Sequence, residues 1–153
     1  MTGKLTVVGL GPGSPQQVTP EALAAVAEAS DFFGYGPYVD RLELRPDQRR
    51  HASDNREELS RAGAALTLAA LGEKVCVVSG GDPGVFAMAA AVCEAIDSGP
   101  SAWRAIEFSV VPGVTAMLAA AARAGAPLGH DFCAINLSDN LKPWRVIETR
   151  LRL

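Results

Sequence analysis

Three times along the chain a short β-branched apolar run empties into a glycine and proline turn and then into an alanine-rich pattern of helical spacing. Leu5–Val8 leads into Gly9-Leu10-Gly11-Pro12-Gly13, Val75–Val78 into Ser79-Gly80-Gly81-Asp82-Pro83, and Ile106–Val111 into Pro112-Gly113-Val114-Thr115. Apolar runs bounded by turn formers read as buried strands, and apolar positions recurring every three or four residues read as helices. The first helix starts at Pro20 behind Thr19 as N-cap, with Ala22, Leu23, Val26 and Ala27 as its apolar stripe. Asp31–Tyr35 reads as a second strand, whereas Val39–Arg50 is charged and mixed and gives no element.

Asp54 and Glu57 have the spacing of a capping box at the start of a long helix, with Leu59, Ala62, Leu66 and Ala69 as its stripe and Gly72 as its stop. Another helix is expected from Pro83 to Ile96, buried on most sides because Val85–Cys93 is nearly all apolar. A third alanine-rich helix runs from Val114 to Ala124. Alternation of this kind predicts an α/β fold, a doubly wound and mostly parallel sheet flanked by helices. Gly125–Gly129 then reads as a linker, Phe132–Leu137 as a new strand and Leu141–Leu151 as a new helix. Residues 1–125 would form one domain, and 126–153 the linker and the opening of a second, so the chain looks cut short.

If the three strands lie parallel, their turns line one crevice, and a small-molecule ligand is expected there. Pro12, Pro83 and Pro112 each remove an amide donor from these turns, which suits a ligand without phosphates better than a phosphate cradle. Gly9, Gly11 and Gly13 match a dinucleotide fingerprint poorly, because the third glycine falls early and the helix starts late. Asp82 has two readings. It can cap the helix that Pro83 begins, or serve a ligand loop, and the double glycine before it favours the loop. Thr115 can likewise be an ordinary helix-start residue, with its place in the third turn as the reason to consider it further.

Composition narrows the function. Of 153 residues 48% are apolar and 20% charged, with net charge -3 and pI near 5.4, against a general nucleic-acid binder. No signal segment or membrane span is evident, so a cytoplasmic protein is expected. Cys76, Cys93 and Cys133 are widely spaced in apolar surroundings and read as reduced, buried thiols, with no metal-binding spacing. His51 and His130 read as structural or surface residues. Arg41, Arg45, Arg49, Arg50, Arg56 and Arg61 form either a solvated face or a basic rim for a polycarboxylate.

Taken together, VGLGPG at 8–13, SGGDPGVFAMA at 79–89, VVPGVTA at 110–116 and GHDFCAINLSDNLKPWRVIETRL at 129–151 resemble the tetrapyrrole methyltransferases of corrin biosynthesis, over essentially the whole chain. Asn136 and Asn140 depart from the pattern. The resemblance implies two α/β domains with S-adenosylmethionine held between them and S-adenosylhomocysteine as product. It also implies a tetrapyrrole substrate and a homodimer. It assigns Pro12, Gly80, Gly81, Asp82, Val85, Thr115 and Ala116 to the methionine and adenosine parts, and names no catalytic residue. The last stretch points to the branch that methylates carbon 17 of the macrocycle with ring contraction, on a metal-free or a cobalt-loaded acceptor. Tyr35 and Tyr38 would pack on the flat ring, and the arginines would meet its carboxylates. The alternatives from other classes are an inactive binding or dimerising fragment and a nucleotide-binding oxidoreductase.

Overall fold

The computed structural model describes residues 3–138 and 142–152. Five strands, β1 (Lys4–Gly9), β2 (Asp31–Tyr35), β3 (Arg49–Ser53), β4 (Lys74–Ser79) and β5 (Glu107–Val111), form one sheet in the order β3-β2-β4-β1-β5. Every pairing is parallel. The helices are α1 (Pro20–Glu28), α2 (Gly36–Val39), α3 (Glu58–Ala70), α4 (Met88–Ser98), α5 (Ala116–Arg123) and α6 (Trp144–Leu151).

Strand periodicity sorts the core into two layers. Leu5, Val7, Val75 and Val77 pack with Ala62, Ala65 and Leu66 of α3 and Val92 of α4. Val8, Cys76 and Val78 point to the opposite face and pack with Ala22 of α1, Phe32 and Val39. Pairing registers Val8 with both Val78 and Val111. The carboxyl ends of β1, β4 and β5 therefore stop level, and their three turns leave the sheet at one edge.

Helix α1 starts where the pattern put it, with Thr19 Oγ1 accepting the Ala22 N–H at 3.1 Å. Strand β3 escaped the pattern because RRHAS has no apolar alternation. It is an edge strand held by backbone pairing to β2 and by the buried carboxylate of Asp31, which accepts from Arg49 at 2.8 and 2.7 Å and contacts His51 Nε2 at 2.8 Å. Burial pushes the Asp31 carboxyl up, and the bonds from Arg49, His51 and Ser30 outweigh it, so the group rests at about 2.

Other expectations are corrected. Helix α3 begins at Glu58, because Asp54 to Glu57 form a turn in which the Asp54 N–H donates to Glu57 Oε2 at 3.0 Å. Half of the capping box is thus present, ahead of the helix, and Leu59 at its start is 60% exposed. Helix α4 begins at Met88, since Pro83–Ala87 is an irregular turn with Phe86 at φ +53°. It buries Met88, Ala89 and Val92 along one face and leaves Cys93 exposed. Cys133 is exposed as well, while Cys76 is buried. Residues 132–137 are coil, as no strand among the described residues pairs with them and an unpaired strand leaves its backbone groups to solvent. Asn140 and the expected helix start at Leu141 lie outside the described residues.

Candidate functional site

The three turns are knitted together by their own backbones. Gly11 and Gly81 exchange two hydrogen bonds, Gly11 N–H to Gly81 O at 3.1 Å and Gly81 N–H to Gly11 O at 2.9 Å. Gly9 and Gly113 approach so closely that a Cβ on Gly113 would stand 3.0 Å from the Gly9 Cα and 2.3 Å from the Gly81 oxygen. A Cβ on Gly9 would meet the Gly81 oxygen at 2.6 Å. Gly81 itself sits at φ +66°, which favours glycine. The glycines are therefore needed where turn meets turn.

Asp82 completes this arrangement. Its Oδ1 accepts the Gly84 N–H at 2.8 Å and its Oδ2 accepts the Gly113 N–H at 3.0 Å. It does not cap α4, which starts six residues later behind Ala87. The carboxylate instead ties the second turn to the third. Thr115 is the N-cap of α5, its Oγ1 accepting from the Leu118 N–H at 3.2 Å.

Over these turns opens a cavity of about 580 Å³, within the roughly 300–1,000 Å³ of small-molecule sites. Pro12, Gly80, Gly81, Asp82, Val85, Thr115 and Ala116 all line it. So do Tyr38, Arg41, Phe86 and Met117, with Leu128 and the coil from Phe132 to Ile135 on the remaining side. The reading of Phe132–Leu137 as a strand hides this coil, although the segment belongs to the 129–151 stretch that carries the family resemblance. The ring of Tyr38 lies over Gly80, where a Cβ would come within 2.8 Å of it, and meets Tyr35 edge-on at 5.5 Å.

The arginines do not gather into a basic rim. Arg41 donates to the carbonyls of Leu10, Gly11 and Gly13 and so braces the first turn. Arg45 pairs with Asp47, Arg49 with Asp31 and Arg50 with Asp40. Arg61 is buried between β3 and α4, and Arg56 is exposed. Charged side chains on a chain with nearby acceptors satisfy those acceptors first, which leaves little to form a common field.

A parallel α/β sheet with a deep crevice at the carboxyl ends of neighbouring strands defines a small-molecule-binding domain of the doubly wound class. The chain belongs to the tetrapyrrole (corrin/porphyrin) methylase family, whose model matches residues 4–152. It is 73% identical over 153 residues to the precorrin-3B C(17)-methyltransferase of a Sinorhizobium species, covering 100% of this chain and 60% of that relative. Among solved structures it resembles the methyltransferase CobJ, with TM-score 0.93 and 60% identity over 98% of this chain and 62% of the other. It also resembles the uroporphyrin-III C-methyltransferase of Thermus thermophilus complexed with S-adenyl homocysteine, with TM-score 0.63 and 28% identity over 88% of this chain and 57% of that one. The chain thus spans about three fifths of the length of its two more similar relatives.

Proposed function

We propose that the crevice over the three turns binds S-adenosylmethionine, and that the intact protein methylates carbon 17 of precorrin-3B with contraction of the macrocycle, in cobalamin biosynthesis. The observation that carries this reading is the convergence of three donor-poor turns on one cavity in a chain 73% identical to a precorrin-3B C(17)-methyltransferase.

The lining fits the cofactor's chemistry. Pro12 offers no N–H, Asp82 spends its oxygens on Gly84 and Gly113, and Met117, Leu128, Phe132 and Ile135 supply apolar wall. Such a surface favours an uncharged purine nucleoside over a pyrophosphate. Pro12, Gly80, Gly81, Asp82, Val85, Thr115 and Ala116 are the residues we assign to cofactor binding. A sulfonium methyl is already activated, so the protein's contribution is to align donor and acceptor carbon and to exclude water. On the same reading residues 126–153 are a linker and the start of a second α/β domain. Exposed Leu128 and Phe132 at the crevice, and an α5 with no buried residue, support that assignment. The intact protein would be a cytoplasmic homodimer. No helix among the described residues is long and apolar enough to cross a membrane.

The test is calorimetric titration with S-adenosylhomocysteine and, separately, NADH, followed by mass spectrometry of precorrin-3B and cobalt-factor III incubated with S-adenosylmethionine and the intact protein. Binding of S-adenosylhomocysteine and gain of a methyl by precorrin-3B are expected. Binding of NADH alone would overturn the reading.

A further inference from the structure

A second cavity, of about 240 Å³, adjoins the crevice and shares Tyr38, Gly80, Val85 and Phe86 with it as a common wall. It is smaller than most sites for whole small molecules, and the rest of its lining is largely polar, including Tyr35, Asn55, Glu58 and Arg61. Arg61 is 4% exposed. Its guanidinium donates to Ser53 Oγ at 2.8 Å, to the Asp54 carbonyl and to Met88 Sδ at 3.3 Å. All three acceptors are neutral, and sulfur is a weak one. Among the described residues no carboxylate makes an ion pair with it.

A buried cation with no carboxylate in contact is costly, by several kcal/mol before compensation, and Glu58, Glu57 and Asp54 offset part of that cost only from beyond ion-pair distance. Pinning β3 to α3 would need only a neutral donor. A guanidinium has five N–H groups, arranged to grip a carboxylate with two parallel bonds. Here three atoms of its fork meet neutral acceptors at the edge of a cavity that opens beside the methyl-donor crevice.

We propose that this cavity is a carboxylate subsite for the methyl acceptor, in which Arg61 takes one carboxylate arm while the Tyr35 hydroxyl and the Asn55 amide supply neutral donors. The proposal rests on the reading of the neighbouring crevice as the methyl-donor site. Glu58, on the same cavity, adds a negative charge that opposes a dianion such as phosphate more than a single carboxylate. The arm is thus held on one side of Tyr38 and Phe86 and the reacting carbon on the other, so Arg61 acts as a specificity-determining residue.

The experiment titrates propionate, with inorganic phosphate beside it, into the intact protein labelled with nitrogen-15, and follows the Arg61 Nε–H resonance. A saturable shift with propionate in the millimolar range is expected, weaker with phosphate. Glu58→Gln should tighten propionate about threefold by removing the opposing charge. Arg61→Lys and Asn55→Leu should each raise the KM for the acceptor at least about tenfold and leave S-adenosylhomocysteine affinity unchanged, the loss of a charge-assisted bond being worth that much. No saturable shift with propionate would overturn the proposal. So would variants that lower only the melting temperature. Asn55 lies in an exposed turn, so its variant decides the matter if Arg61→Lys does not fold. If S-adenosylhomocysteine fails to bind the unaltered protein, the methyltransferase reading falls, while the propionate titration still decides whether an anion site exists.

Discussion

The Asp82 carboxylate and the Gly113 backbone N–H are joined by a 3.0 Å hydrogen bond that crosses from the second turn to the third, while the other carboxylate oxygen holds Gly84. Removing the side chain strands two amide donors. Asp82→Ala should therefore cost about 1–3 kcal/mol of stability and weaken S-adenosylhomocysteine binding by about tenfold or more, as one crevice wall loses its position. Chemical denaturation and calorimetry measure the two effects separately. A fall in stability with unchanged affinity would leave Asp82 as a tie between turns and nothing more.

The crowding of Gly9 makes a sharper demand. A methyl group there would overlap the Gly81 oxygen and the Gly113 nitrogen, at 2.6 and 2.8 Å, both backbone atoms that cannot swing away. Gly9→Ala is expected to destabilise by more than about 3 kcal/mol, above the usual range for a single substitution. Gly129→Ala is the control, since nothing stands within 4 Å of its added Cβ. Thermal unfolding of the two variants side by side checks the contrast. Equal midpoints would contradict the close packing of the turns.

Thiol chemistry reads the crevice from another direction. Cys76 is buried, and burial pushes its thiol up to about 12, so it should stay unreactive toward maleimide at neutral pH. Cys93 and Cys133 are exposed and should label. Because Cys133 lines the crevice and Cys93 does not, S-adenosylhomocysteine should slow modification of Cys133 alone. Peptide mapping by mass spectrometry would show whether that selectivity holds. Equal protection of both, or of neither, would count against the cofactor assignment.

Asp31 predicts an acid limb of stability. Its folded value of about 2 lies below the ordinary 3.8, so the folded state binds the proton less readily than the unfolded one. The contribution, about 2 kcal/mol, is complete above about pH 4 and is lost as pH falls toward 2. In Asp31→Asn that portion of the acid-induced loss should disappear, together with a lower stability at neutral pH, because Arg49 and His51 lose their buried acceptor. Denaturation series between pH 2 and 6 would reveal the change in slope.

What could be read beforehand was whatever rests on local pattern. β1, β4 and β5 announced themselves through β-branched runs, and the turns after them through glycine and proline. Their convergence followed from the parallel sheet. What stayed hidden depends on partners remote in sequence. β3 exists because Asp31 and the β2 backbone hold it. α4 starts late because the Pro83–Ala87 turn bends around Asp82 and Phe86. The wall from Phe132 to Ile135 looks like a strand by composition, yet among the described residues no neighbouring strand completes it. The arginines read as a field in the sequence, yet Arg41, Arg45, Arg49, Arg50 and Arg61 are individual braces, since a charge pattern does not say which acceptor lies nearest.

The level ending of β1, β4 and β5 limits how this architecture can be re-tuned. With three backbones in close contact at Gly9, Gly81 and Gly113, the support beneath the crevice is a fixed mould that admits no larger residue. Diversity in what the crevice accepts must then come from its coil flank, Leu128 and Phe132–Ile135, together with the aromatic partition at Tyr38 and Phe86. Libraries aimed at altered ligand binding belong on those positions, with the glycine support left untouched.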